Sequence, residues 1–290
     1  MELTAPGSLA TGEAFTKIPS RGKQIEVHAL LSGLIAEKKS TGNRARQFFS
    51  SGFGEMQPVW IFLIVHPSEG LILVDTGQHP DTVKDGYFKS AGPVQNWFLS
   101  SQFGYFIKDE HRLEGQLAQL GYRVADISRV ILTHLHFDHT GNLSLFKGKP
   151  IMLSKAEWVK PYYAVQALHP SWFKPELILF SEKEPSGDYL LENSFLIGAS
   201  SDLLYLSTPG HTHGHASVMI LGDTFAVLLA GDVSSTAADL FLPQGKGEAN
   251  NFESRMSRWK IVEFARRWPL VYLPAHDPEV PYRLRDRVFL

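Results

Sequence analysis

Three histidines and an aspartate fall within six residues, His134-Leu135-His136-Phe137-Asp138-His139, directly after the apolar run 130–132. On extended backbone, residues two apart point the same way, so His134 and His136 can grip one cation together. Asp138 and His139 turn away and can serve a second. Imidazole and carboxylate suit zinc, and a tetrahedral zinc site takes about three protein groups plus water. Two ions then need roughly six or seven protein groups. His211, Asp232 and His276 complete that number. Each follows a short apolar run, within Thr208-Pro209-Gly210-His211, Ala230-Gly231-Asp232 and Pro274-Ala275-His276. Crowding such groups at the ends of buried strands is costly without a partner, and a metal is a partner. The chain has no cysteine, which excludes disulfides and thiolate-bound metals.

These residues need a rigid frame, because binding groups are usually displayed on loops held by a sheet. Residues 59–65 and 71–74 are apolar runs joined by Pro67-Ser68-Glu69-Gly70, a hairpin signal. Further strands are expected over 24–35, 130–132, 151–153 and 271–273. The region 177–233 alternates apolar runs and turn residues, as in an antiparallel sheet. Helices are expected over 112–120, with Gly121 as its C-cap, over 155–168 with an interruption at Pro161, and over 255–267. In the last, Met256, Trp259, Ile261, Val262, Phe264 and Ala265 form the apolar set. Residues 37–57 read as irregular. No internal repeat or dividing linker stands out, so the expected organisation is a loose arm over 1–22 and one sheet-based domain over 23–290.

His28, His66, His79, His111 and His169 lie outside the cluster and read as structural or surface residues. Asp75 ends a buried strand and either orients a metal ligand from behind or caps the Thr76-Gly77 turn. His215 has the same two readings, and His213 reads as a turn residue.

With 43% hydrophobic and 20% charged residues, the chain has the composition of a globular protein. A net charge of -2 gives no surplus of Lys and Arg for a polyanion, so no nucleic-acid partner is expected. The N-terminus lacks a basic stretch followed by an apolar one, and no apolar run reaches membrane-spanning length. No membrane association and a cytoplasmic location are the expectation.

The stretch Thr133-His134-Leu135-His136-Phe137-Asp138-His139-Thr140-Gly141 resembles the signature of the metallo-β-lactamase superfamily. Val74-Asp75-Thr76-Gly77, residues 208–215, Gly231-Asp232 and Pro274-Ala275-His276-Asp277 match its supporting motifs in order. The resemblance covers about residues 57–280. It implies an α/β fold, an αβ/βα sandwich of two mixed β-sheets flanked by helices, with metals at one edge. It also implies roles. His134, His136 and His211 would hold one zinc ion, Asp138, His139 and His276 a second, and Asp232 would bridge the two together with a hydroxide. Asp138 would relay a proton to the leaving oxygen.

Within the superfamily the sequence is most similar to N-acyl homoserine lactonases, through Pro58-Val59-Trp60, the hairpin ending at Asp75-Thr76-Gly77, and Leu135-His136-Phe137-Asp138-His139. That implies a dinuclear metal-dependent hydrolase that opens a lactone or cleaves a related ester, with quorum quenching as its setting and a small carbonyl ester as its substrate. The aromatic segment 78–108, with Phe48 and Phe49, could line an acyl pocket, pack beneath a loop or form the face of a homodimer. One departure is clear. Such lactonases place a Tyr three residues after the bridging Asp, and this chain has Ser235. A glyoxalase II-type thioesterase and a metal-binding sensor without turnover are the alternatives.

Overall fold

A computed structural model describes residues 14–38, 54–180, 190–242 and 248–290. Two mixed sheets stack face to face. The first runs in the order β1 (Phe15–Ser20), β2 (Lys23–Glu37), β3 (Gln57–His66), β4 (Gly70–Val74), β6 (Ile127–Ile131), β7 (Ile151–Ser154), β8 (Glu176–Ile178), with β5 (Phe103–Phe106) on the far end of β2. β1 to β4 are antiparallel neighbours, whereas β4, β6, β7 and β8 run parallel. The second sheet is β13 (Leu270–Pro274), β12 (Ala226–Gly231), β11 (Ala216–Leu221), β10 (Leu203–Ser207), β9 (Ser194–Leu196), with only β12 and β13 parallel.

Alternate residues of each strand serve different cores, as the pleat requires. Ile25, Val27, Phe62, Ile64, Ile72 and Val74 of the first sheet meet Tyr205, Val218, Ile220, Val227, Leu229 and Val271 of the second. The intervening Leu30, Ile61, Leu63 and Leu73 face outward onto α2 (Leu113–Gln119) through Leu113 and Leu117. On the opposite side, Leu204, Leu206, Met219, Leu228 and Tyr272 pack on Ile261 and Phe264 of α5 (Asn251–Ala265). The order is therefore helix, sheet, sheet, helix. Among the described residues no helix is long and apolar enough to cross a membrane.

Several expectations need correction. Residues 15–20 belong to no loose arm; they pair with β2 from Phe15↔His28 to Ser20↔Lys23. The reason is their alternating pattern, which buries Thr16, Ile18 and Ser20. The expected boundary at 22–23 thus falls inside a hairpin, and residues 1–13 lie outside the described residues. The region 177–233 does not form one antiparallel sheet. β8 follows β7 through α4 (Lys155–Val159), and a crossover of this kind returns the chain parallel to its start. α4 ends two residues before Pro161, and the remainder of the expected helix reduces to one turn at Gln166–Leu168. On α5, Met256 and Trp259 are exposed, while Ser254, Ser257 and Arg258 are buried.

The segment 78–108 contains α1 (Pro93–Gln102) and a small core of its own, in which Phe88 and Leu99 pack with Val165. Phe137 sits edge-on to both Phe88 and Tyr105. Trp97 and Phe98 are exposed on α1, and Phe48 and Phe49 lie outside the described residues.

Candidate metal centre

The cluster forms where both sheets end. β6 delivers His134 and His136, and the four-residue helix α3 (Phe137–Thr140) carries Asp138 and His139. His211, Asp232 and His276 follow β10, β12 and β13 of the second sheet. Backbone bonds stitch these ends together. Ala216 N–H donates to the Thr133 carbonyl at 3.0 Å, Ala275 N–H to Gly231 at 2.9 Å, and Trp60 N–H to Ala275 at 2.8 Å.

The seven residues meet as two groups. Ligand atoms of His134, His136, His211 and Asp232 lie within 4.8 Å of one another, and so do those of Asp138, His139 and His276. Asp232 touches both groups. Its Oδ2 is 3.3 Å from His211 Nε2 and 3.2 Å from His276 Nε2, and its Oδ1 is 3.2 Å from His139 Nε2.

The outer nitrogens have partners that orient the rings. His139 Nδ1 donates to Asp75 Oδ2 at 2.8 Å. His136 Nε2 donates to the Tyr162 carbonyl at 2.9 Å, and His276 Nδ1 to that of Pro58 at 2.8 Å. Thr133 Oγ1 donates to Asp75 at 2.9 Å and accepts from His134 Nδ1, also at 2.9 Å. With those protons committed, the opposite nitrogens of His134 and His136 present lone pairs inward, while His139 Nε2 and His276 Nε2 face Asp232. His134 Nε2, His139 Nε2 and Asp232 Oδ1 are buried without a hydrogen-bond partner. His139 Nε2 is near Asp232 but misaligned for a bond. Orphaned buried atoms of this kind call for an explanation. A set of converging imidazoles and carboxylates fits a divalent metal, and the oriented outer shell is what metal-binding histidines use.

Burial drives His134 and His211 well below the ordinary histidine range, with neighbouring histidines adding to it, so both stay neutral and able to bind. Burial also opposes the charged form of His139, but Asp232, Asp75 and Asp138 outweigh it and raise that residue. Burial pushes the Asp232 carboxyl up, yet His276, His139 and His211 together hold it well below the usual carboxylate range.

Of its two expected roles Asp75 takes the orienting one, since its carboxylate goes to Thr133 and His139 and not to the Thr76-Gly77 turn. It ends β4 in the left-handed region, φ +61°, accepts from Thr133 N–H, and orients His139. His215 lies directly behind the cluster, its ring 5.2 Å from that of His134, and holds the Asp232 loop. Its Nε2 accepts the Asp232 N–H at 3.0 Å, and its Nδ1 donates to the Thr208 carbonyl at 3.1 Å. Gly231 makes this possible, since φ is +56° there and a Cβ would lie 2.7 Å from the His215 ring. His213 lies at a turn, its ring 6.1 Å from that of Tyr162. The five other histidines are elsewhere. His66, for example, bonds Asp202, and His79 caps the turn at Asp81.

Sequence reasoning missed Glu157. This fully buried carboxylate accepts from Leu135 N–H at 3.1 Å, Thr212 Oγ1 at 2.6 Å and Gly214 N–H at 3.2 Å, tying the His134–His136 loop to the His211 loop. Burial raises its pKa against those three bonds. Glu248 was missed as well. Burial, with a contribution from Asp232, pushes it up to about 7 although Arg258 opposes.

Comparison with known proteins agrees with this architecture. An N-acyl homoserine lactonase of Bacillus thuringiensis is 34% identical over 181 residues, which is 62% of this chain and 65% of that relative's length. A solved N-acyl homoserine lactone hydrolase, with its product N-hexanoyl-L-homoserine bound at the catalytic metal centre, superposes with a TM-score of 0.68 at 23% identity, over 95% of this chain and all of the other. A dizinc quorum-quenching lactonase superposes with a TM-score of 0.57 at 19% identity, over 91% and 90% of the two chains. The sequence model of the metallo-beta-lactamase superfamily matches residues 55–282, a stretch that holds all seven clustered side chains and both stacked sheets' contributions to them, and this chain belongs to that superfamily.

Proposed function

We propose that this protein is a hydrolase with two divalent metal ions, zinc by the chemistry of its donors, and that it opens a lactone or cleaves a related ester. His134, His136 and His211 would hold one ion, Asp138, His139 and His276 the other, with Asp232 between them. The observation that carries this is the set of buried inward-facing atoms without partners: His134 Nε2, His139 Nε2 and Asp232 Oδ1. When bound, a metal pair of this kind lowers the pKa of water to about 7 and polarises an ester carbonyl.

The chain's own residues supply the rest. Asp75, Thr133, the Tyr162 carbonyl and the Pro58 carbonyl fix which imidazole nitrogen faces inward. Asp138 is buried 3.6 Å from His276 Nε2, where its carboxylate can carry a proton to the leaving oxygen. The similarity to lactonases supports a lactone as substrate. Ser235 is exposed, and its short side chain does not reproduce a phenol at that position. Tyr272 does not replace it, because its hydroxyl is buried against Ser234 Oγ at 2.8 Å.

The test joins metal analysis to turnover. Purified protein should contain about two metal ions per chain and hydrolyse lactones of graded acyl length, with activity lost to chelator and restored by zinc. Asp232→Ala should abolish turnover and lower the content of both ions. Full metal content without hydrolysis of any lactone or ester would instead make this a metal-binding sensor.

A further inference from the structure

α5 turns an apolar ridge to solvent. Phe252, Met256 and Trp259 are 63%, 37% and 42% exposed. Their spacing, i, i+4 and i+7, lines them along one side of the helix. Beside this ridge runs a groove of about 110 Å³, with Ser207 and Pro209 on one bank and Glu253, Met256 and Lys260 of α5 on the other. Two opposite charges therefore share the flank that faces the groove. Glu253 and Lys260 are two helical turns apart, about 10 Å along the axis. Neither has an ion-pair partner among the described residues, and Glu253 Oε2 is buried with no hydrogen-bond donor.

The order of these charges decides what covers the ridge. A buried acceptor without a donor is costly, and a partner that brings an ammonium removes that cost. The midpoint of Glu253 and Lys260 falls between Met256 and Ser257. A second copy turned about a two-fold axis at that point lays its α5 antiparallel to the first. Glu253 of each chain then stands opposite Lys260 of the other, twice over. The same rotation sets Met256 against Met256 at the axis and Phe252 beside Trp259, and each ridge enters the other's groove. A foreign partner would have to reproduce this charge spacing, whereas a second copy already carries it.

We propose that the exposed side of α5 is a two-fold self-association surface, on which a second copy of this chain docks helix against helix. The inference does not depend on the hydrolase reading. It reaches the cluster all the same, because α5 and its cap hold the loop of His211. Ser257 Oγ donates to the Pro209 carbonyl at 2.6 Å, and Asn250 N–H to that of Gly210 at 3.0 Å.

Sedimentation equilibrium of the full chain tests this, on wild type, Glu253→Lys, Lys260→Glu, the double variant and Met256→Asp. The wild type should dimerise, with a Kd on the order of 10 μM. Each single reversal sets like charges together at two symmetric places and should raise that Kd at least about tenfold. The double reversal restores opposite charges and should return to within about threefold of wild type. Met256→Asp, at the axis, should leave the chain monomeric. Mixing the two single variants adds a signature that a structural role would not show. One carries only positive charge on this flank and the other only negative, so the mixture should form a heterodimer although neither variant pairs well alone. Tm confirms that each variant folds, and if Met256→Asp does not, the charge reversals decide. A wild type that stays monomeric at about 100 μM overturns the inference. So does a dimer indifferent to both single reversals, or a mixture that fails to pair. The hydrolase reading stands in each case.

Discussion

Four of the five clustered imidazoles have one nitrogen committed to a protein acceptor, and the choice of acceptor decides which nitrogen looks inward. His169 shows the opposite situation. Its ring packs edge-on to Phe173, its Nε2 is buried without a partner, and burial alone lowers its pKa to about 4. The unfolded chain therefore binds a proton at His169 near pH 6.5 that the folded chain refuses until about pH 4. Stability from this residue is complete above pH 6.5 and is lost as pH falls towards 4, by up to about 3 kcal/mol. His169→Phe should flatten urea-derived stability across that window, and a slope as steep as the wild type's would refute the assignment. Legibility differed among single residues for a physical reason. The clustered histidines and aspartates stood out because strand ends concentrate them into short motifs. Glu157 and Glu248 left no such mark. One lies in the ordinary helix segment Lys155–Val159 and the other in a polar loop, and only tertiary packing brings them to the loops of the histidine cluster.

At the scale of elements, the site depends on loops that other elements hold in place. Glu157, on α4, accepts three donors from the two loops that carry His134, His136 and His211. Glu157→Ala would leave those donors unmatched in the interior, at about 1–3 kcal/mol each before relaxation. It should lower Tm and weaken metal affinity roughly 10–100-fold, by analogy with other residues that support ligands from behind. Calorimetric titration of metal into the variant checks this, and wild-type affinity would remove the role given to Glu157. α5 shows why neither its start nor its faces were fully legible, for it begins at Asn251 and not at the expected 255. Its N-cap, Asn250, satisfies the N–H groups of Phe252 and Glu253, and its length follows from propensity and capping. Its buried side is partly polar because Ser257 Oγ donates to the Pro209 carbonyl and Arg258 reaches the carbonyls of Asp239 and Leu242. An apolar-stripe argument assigns Met256 and Trp259 inward, and the contacts of the ligand loop reverse that choice. The β8 placement failed similarly, since short apolar runs do not state which sheet they join.

For the molecule as a whole, the residues alone pointed to one sheet-based core covered by helices, and the two-sheet sandwich followed from the resemblance of the motifs; β3 and β4 read as unbroken apolar runs because both faces of their sheet are packed. The centre of that sandwich end concentrates two aspartates and five histidines with several inward atoms unmatched. Ligands that bind only the folded state stabilise it by mass action, by about 4 kcal/mol at a thousand times Kd. Chelation should therefore lower Tm by on the order of 10 °C, and added zinc should restore it. Scanning calorimetry reads this directly, and a Tm indifferent to chelator would count against metal binding in the native fold.

The stitching between strand ends has a practical corollary. Thr133, on one sheet, accepts from Ala216 on the other, and Trp60 of β3 bonds both Ala275 by its backbone and the Asp277 carbonyl by its indole at 2.9 Å. Neither half of the sandwich owns a complete set of donors, so a misregistered chain offers only fragments of a chelate. Cation stoichiometry in a refolded preparation then works as a head-count of correctly assembled molecules, obtainable from a dialysed sample before any substrate is known.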